Sequence, residues 1–185
     1  MNYDRIILGI DPGTVVLGYG LIGIKGKNPV IITMGVLKLS KYSSHPLRLK
    51  KIFERVLGLV KEYKPDELSI EAPFYSKNVQ SMLKLGRAQG VAMAAALYRD
   101  IPITEYSPRE IKRSITGNGN ASKEQVAAML NNLLTFDNSP EYFDATDGLA
   151  AAVCHYFNKG KVSSQKNYNS WKNFITDNPK RIQRK

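Results

Sequence analysis

The period of the apolar pattern changes along the chain, and that change limits what the chain can fold into. Three apolar runs with strand character come first, Arg5 to Ile10, Val16 to Ile24 and Pro29 to Leu39. The first stops at the turn Asp11-Pro12-Gly13, Gly18 and Gly20 break the alternation of the second, and Gly26 to Pro29 supplies a hairpin turn. Strands joined by turns this short predict an antiparallel meander. From about Pro46 the period becomes helical: Leu49, Ile52, Phe53, Val56, Leu59 and Val60 recur three and four residues apart until Lys64-Pro65 ends the pattern.

The remainder alternates between the two periods. Glu67 to Ile70 reads as a short strand leading into Glu71, about Lys77 to Tyr98 as a long helix, and Ile103 to Tyr106 as a strand. Ser107-Pro108-Arg109-Glu110 and Ser122-Lys123-Glu124-Gln125 both read as capped helix starts. Thr116 to Ala121, between them, is expected to be a mobile loop. Ser139-Pro140 opens a final helix running to about Phe157. The order β-β-β-α-β-α-β-α-α-α predicts an α/β fold, a mixed five-stranded sheet with helices packed on it, in one domain over residues 1–158.

Charge narrows the class of partner. The 185 residues hold 27 Lys+Arg against 16 Asp+Glu, a net charge of +11. Residues 159–185 carry eight basic residues and one acid, so +7 of that surplus lies in a polar stretch without periodicity, expected to be a flexible basic extension. A surplus of this kind suits a polyanion, because basic side chains that neutralise phosphates release condensed counterions. An anionic membrane surface fits the charge too, but no stretch approaches the roughly 20 continuous apolar residues of a membrane span. The opening residues lack the pattern of a secretory signal, so a cytoplasmic location is expected. The single cysteine, Cys154, excludes an internal disulfide and a multi-cysteine zinc site.

Four acids stand out by position. Asp11 ends the first strand and Glu71 the fourth, and groups beyond the carboxyl ends of strands gather into sites in open α/β sheets. If those strands are neighbours, the two acids meet. Asp144 and Asp147 are three apart and share a helix face, which Gly148 and Ala151 continue with small side chains that let the helix lie close to the sheet. Singly, each acid has an ordinary explanation: Asp before Pro-Gly is a common turn residue, and Asp147 near a helix start favours the macrodipole. Together, four carboxylates repel unless a cation joins them. An all-oxygen donor set suits Mg²⁺, or Mn²⁺. Two such ions roughly 4 Å apart can clamp a scissile phosphate.

The same residues carry a family resemblance. Ile7-Leu8-Gly9-Ile10-Asp11-Pro12-Gly13-Thr14, Ile70-Glu71-Ala72-Pro73-Phe74-Tyr75-Ser76-Lys77-Asn78, Leu85-Gly86-Arg87-Ala88-Gln89-Gly90-Val91 and Asp144-Ala145-Thr146-Asp147-Gly148-Leu149-Ala150 resemble, in order and spacing, the motifs of the RuvC Holliday-junction resolvases. The resemblance runs from about Arg5 to Phe157. It implies a ribonuclease H-like fold, a homodimer and Mg²⁺-dependent symmetric nicking of four-way DNA junctions in recombination and repair, alongside branch-migration proteins of the RuvA and RuvB type.

By the same resemblance Asp11, Glu71, Asp144 and Asp147 are the metal ligands, two ions to a site. Phe74 falls where the family has an aromatic that stacks on an unpaired base, worth roughly 1–3 kcal/mol. Its ordinary alternative is a core or dimer contact. Lys77 belongs to the expected DNA contacts, and Lys112 and Lys123 match lysines beside the cleaved phosphate, where solvated lysines are the alternative. Gly86, Gly90 and Ala94 are expected to form the dimer face, or else to pack the helix onto its own sheet. His155 and Cys154 have no required role. The family more often has Ala at Gly148, so Gly148→Ala is expected to stabilise the helix by up to ~1 kcal/mol if nothing clashes.

Three other classes compete. The Asp-x-Gly-Thr turn also occurs in actin-like ATPases and sugar kinases, but those folds need two such domains and about twice this length. A non-catalytic junction-binding protein would need the basic face but not four acids. A related nuclease acting on RNA or a simple flap would share all of these features.

Overall fold

A computed structural model describes residues 3–73, 78–134 and 143–162. Its elements are β1 (Arg5–Asp11), β2 (Val16–Lys25), β3 (Asn28–Lys38), α1 (His45–Tyr63), β4 (Glu67–Glu71), α2 (Val79–Leu97), β5 (Ile103–Tyr106), α3 (Pro108–Thr116), α4 (Lys123–Leu134) and α5 (Phe143–Val162). The strands lie in the order β3-β2-β1-β4-β5. β1, β2 and β3 form the expected antiparallel meander, while β4 and β5 add in parallel beside β1. β1 and β4 are therefore neighbours, and Ile10 pairs with Ile70 one residue before the acids that end the two strands.

Alternate residues of the central strands build two cores. Leu8, Ile10, Leu68 and Ile70 face α1 and α2, meeting Ile52, Val56, Ala88 and Ala92. On the other face Ile7 and Ile22 meet Ile111, Val126, Leu149 and Ala151 of α3, α4 and α5. A strand covered on both faces buries every residue, which is why β1 reads as a continuous apolar run.

α5 lies directly on backbone. A Cβ added to Gly148 would stand 2.5 Å from the Cα and 2.6 Å from the N of Tyr19, and one added to Gly18 would stand 2.0 Å from the carbonyl oxygen of Asp144. Both positions require the absence of a side chain. The expected gain from Gly148→Ala is thereby corrected: helix propensity favours alanine, but its methyl would overlap the main chain of β2, which cannot yield as a flexible side chain can.

Two further expectations change. Residues 116–121 are not a loose loop. Gly117 caps α3 in the left-handed region, Thr116 and Asn118 exchange hydrogen bonds, the Ala121 amide donates to the Asn118 carbonyl, and Ala121 is buried. α5 continues to Val162, past the expected end near Phe157. Phe74, Lys77, Ser139, Pro140 and the chain beyond Val162 lie outside the described residues. No described helix is long and apolar enough to cross a membrane.

Candidate active site

The ends of β1 and β4 open onto a pocket of about 480 Å³. Asp11 and Glu71 enter it from the strand ends, Asp147 from the first turns of α5, Lys112 from α3 and Lys123 from α4. Ala72, Pro73, Leu85, Ile111, Val126 and Ala150 supply apolar walls. Five of the six expected catalytic residues thus share one cavity. Asp144 stands at the rim, its side chain 55% exposed against 17% for Asp147.

Local sequence explains each placement. Ser107 and Glu110 form a reciprocal capping box that fixes the start of α3, and Lys112 follows on its first turns. Ser122 and Gln125 do the same for α4 and place Lys123 at its first position. Ser69 on β4 donates to the Ala151 carbonyl of α5 across 2.7 Å, tying the helix that carries Asp147 to the strand that carries Glu71.

The walls and the acids together create strong electrostatic tension. Burial first, then Asp147 and Asp144, push the Asp11 carboxyl up to about 7. Burial, then Asp11 and Asp147, push Glu71 up to about 8. Asp147 is also raised, chiefly by burial, although Lys123 opposes the shift. Lys123 is the main relief: its ammonium hydrogen-bonds Asp147 and lies 4.0 Å from Asp144. Among the described residues no three acid, histidine or cysteine side chains are arranged to hold one metal ion, and the ammonium stands among the carboxylates instead. The donor set nonetheless fits a hard divalent cation. Its groups are all carboxylate oxygens, and the raised values of Asp11, Glu71 and Asp147 mark charge that burial leaves short of positive partners.

Several contacts had no local signal. Gln89 of α2 is buried and donates to Glu105 at 2.7 Å and to the Glu71 carbonyl at 3.4 Å, bracing the strand end. Arg48 of α1 donates to the carbonyls of Thr14 and Tyr42, each at 3.0 Å, pinning the turn that follows Asp11. His155, given no role from sequence, is buried between Glu67 at 2.6 Å and the Tyr106 hydroxyl at 2.9 Å. Burial and Arg5 hold its imidazole down to about 4, so it is neutral, with Nε2–H donating to Glu67 and Nδ1 accepting from Tyr106. Cys154 is a small buried side chain, as expected.

The profile of a family described as crossover junction endodeoxyribonuclease RuvC matches residues 7–155. The chain belongs to the RuvC family. The RuvC protein of Cytophaga hutchinsonii is 60% identical over 179 residues, covering 97% of this chain and 88% of that protein. That of Bacteroides fragilis is 59% identical over 181 residues, covering 97% and 96%. Among solved structures, T. thermophilus RuvC in complex with Holliday junction substrate aligns with a TM-score of 0.79 at 29% identity, covering 86% of this chain and 97% of that one. The yeast mitochondrial Holliday junction resolvase Ydc2 aligns with a TM-score of 0.65 at 15% identity, covering 96% and 85%, and shares the fold alone. The ribonuclease H-like mixed five-stranded sheet is therefore the RuvC fold.

Proposed function

We propose that this chain is a structure-selective endonuclease that resolves four-way DNA junctions by paired, symmetric, metal-dependent nicks in recombination and repair. The observation that carries the reading is the convergence of Asp11, Glu71 and Asp147, from three separate elements, with Lys112 and Lys123 in one cavity. Membership of the RuvC family supports the same substrate, as does likeness to a T. thermophilus relative in complex with Holliday junction substrate.

Asp11, Glu71 and Asp147, with Asp144 at the rim, would hold Mg²⁺, with Mn²⁺ as a substitute and two ions per site. Bound there, the metal supplies Lewis acidity to the phosphate and lowers the pKa of the attacking water. The protein's own part is positional and electrostatic. The strand ends fix two acids, the close seat of α5 fixes the others, and the apolar walls thin the water around them. Lys112 and Lys123 offer positive charge to the phosphate oxygens as charge builds there. The helix N-terminus beneath Lys123 adds backbone N–H groups of the same sign.

The dimer belongs to this reading. Gly86, Gly90 and Ala94 are assigned to the dimer face; the residues of α2 buried within the chain are instead Ala88, Gln89, Ala92, Ala95 and Ala96. A Cβ at Gly86 or Gly90 would meet nothing within 4 Å, and Leu83, Leu97 and Tyr98 are exposed along the same helix. A second copy seated there puts two active sites on one junction, which symmetric nicking requires. Branch-migration proteins of the RuvA and RuvB type, DNA contacts by Phe74 and Lys77, a basic extension over residues 159–185 and a cytoplasmic location complete the proposal.

Asp11→Asn tests the site. The variant should bind a four-way junction in Ca²⁺ and fail to cut it in Mg²⁺. Cutting by that variant at the wild-type rate would remove Asp11 from the mechanism.

A further inference from the structure

A group of cations lies on the other face of the sheet from Lys112 and Lys123. Those two lysines ride on α3 and α4, which pack with α5 on one face, whereas α1 and α2 pack together on the opposite face. His45 and Arg48 occupy the first turn of α1, and Lys84 and Arg87 lie one turn apart on α2. α1 and α2 pack against each other, which brings the two pairs to one side of the sheet; burial, then the charges of Arg87, Lys84 and Arg48, hold the His45 imidazole below its ordinary value.

The group has no internal neutralisation. Among the described residues none of Arg48, Lys84 and Arg87 forms an ion pair, and the first turn of α1 contains no acid. His45 Nε2 is closed off from solvent and has no hydrogen-bond partner. Cations gathered this closely repel one another unless an anion joins them. The group is also held in place, because the Arg48 guanidinium is fixed to the carbonyls of Tyr42 and Thr14.

Its position ties it to the cavity. Thr14 is three residues past Asp11, and Leu85, between Lys84 and Arg87, forms part of the cavity wall. The cavity mouth is thus flanked by cations from both faces of the sheet.

We propose that His45, Arg48, Lys84 and Arg87 form a second, non-catalytic phosphate site that holds the DNA backbone on the α1/α2 side while Lys112 and Lys123 hold the strand being cut. The proposal rests on the nuclease reading above. The ligand is a phosphodiester: its oxygens accept from two long cationic side chains and from the guanidinium. Arg48 serves as the fixed member, and Lys84 and Arg87, exposed in the single chain at the edge of the α2 face assigned to the second copy, close over the phosphate.

The test uses the full chain and a labelled four-way junction in Ca²⁺, with affinity measured across a salt series. Lys84→Ala/Arg87→Ala should bind about tenfold or more weakly near physiological salt. Its plot of log affinity against log salt should be shallower by roughly 1–2, since each phosphate contact contributes about 0.9 to the slope. Lys84→Arg/Arg87→Lys should restore the slope, because charge rather than shape sets it. An affinity and slope equal to those of the wild type would overturn the proposal. So would weaker binding accompanied by a smaller sedimenting species, which would assign these residues to contact between copies. Failure of the wild type itself to bind the junction would instead overturn the substrate reading.

Discussion

The ammonium of Lys123 donates a hydrogen bond to the carboxylate of Asp147, across the helix pair α4 and α5. It occupies the place where the acids most need positive charge, and Asp11 and Asp144 act on it as well. A lysine there is counter-ion to the acids without metal, and under the proposed function it becomes a phosphate contact once a divalent cation takes that place.

That double role predicts the behaviour of Lys123→Ala. The metal-free variant should melt at a lower temperature than the wild type, because the acids lose their nearest cation. Its gain in Tm on adding Mg²⁺ should be larger than the wild type's. Melting curves in EDTA and in Mg²⁺ check this, and equal gains would contradict the counter-ion role.

The raised acids predict a pH dependence with a definite sign. Unfolded, Asp11 and Glu71 titrate near 3.8 and 4.5; folded, they titrate near 7 and 8. Between those limits the native state binds more protons than the unfolded state, so stability falls as pH rises through the window. In EDTA the Tm should drop from pH 5 to pH 8, and Asp11→Asn should flatten the drop. Mg²⁺ should raise the Tm more at pH 8 than at pH 5, where the carboxyls keep their protons. A metal-free Tm that climbs across this range would contradict the assignment.

Gly148→Ala should destabilise the protein although it improves helix propensity. Overpacking a tight contact costs about 1–3 kcal/mol, more than the roughly 0.5–1 kcal/mol that alanine gains in a helix. The urea midpoint should fall. Any relief by lifting α5 would move Asp144 and Asp147, so cleavage should weaken alongside stability. A raised midpoint would show that the helix can shift off β2 without cost.

His155→Leu should destabilise through Glu67. The substitution takes from the buried Glu67 carboxylate its 2.6 Å partner, leaving it Arg5 at 3.8 Å, and takes from the Tyr106 hydroxyl the imidazole that it bonds. Leaving a buried polar group unsatisfied costs about 1–3 kcal/mol. Pairing the change with Glu67→Leu should recover part of the loss, which a double-mutant cycle in urea measures. Simple additivity of the two losses would deny the link.

The particular residues show why some of this was legible in sequence and some was not. Asp11 and Glu71 could be placed because a strand end is marked by local pattern, and parallel pairing of β1 with β4 sets them side by side. Asp147 could be placed because helical spacing fixes its face, whereas Asp144, one turn before it, stands at the rim with its side chain 55% exposed. Gly148 was misjudged because sequence displays the cost of glycine within a helix but not the β2 backbone 129 residues earlier that the missing methyl accommodates. Glu67 and His155 lie 88 residues apart and Thr14 and Arg48 lie 34 apart, so neither pairing leaves a periodic trace. The lysines were legible only as matches to a motif; that they enter the cavity from two capped helix starts is a fact of packing.

The most direct measurement gives the full-length protein a synthetic mobile four-way junction with Mg²⁺, each strand end-labelled in turn and resolved on a denaturing gel. The account predicts paired nicks at symmetric positions on two opposing strands, with linear duplex of the same sequence left largely intact. Cleavage of the linear duplex at an equal rate, or unpaired nicks scattered along one strand, would contradict it.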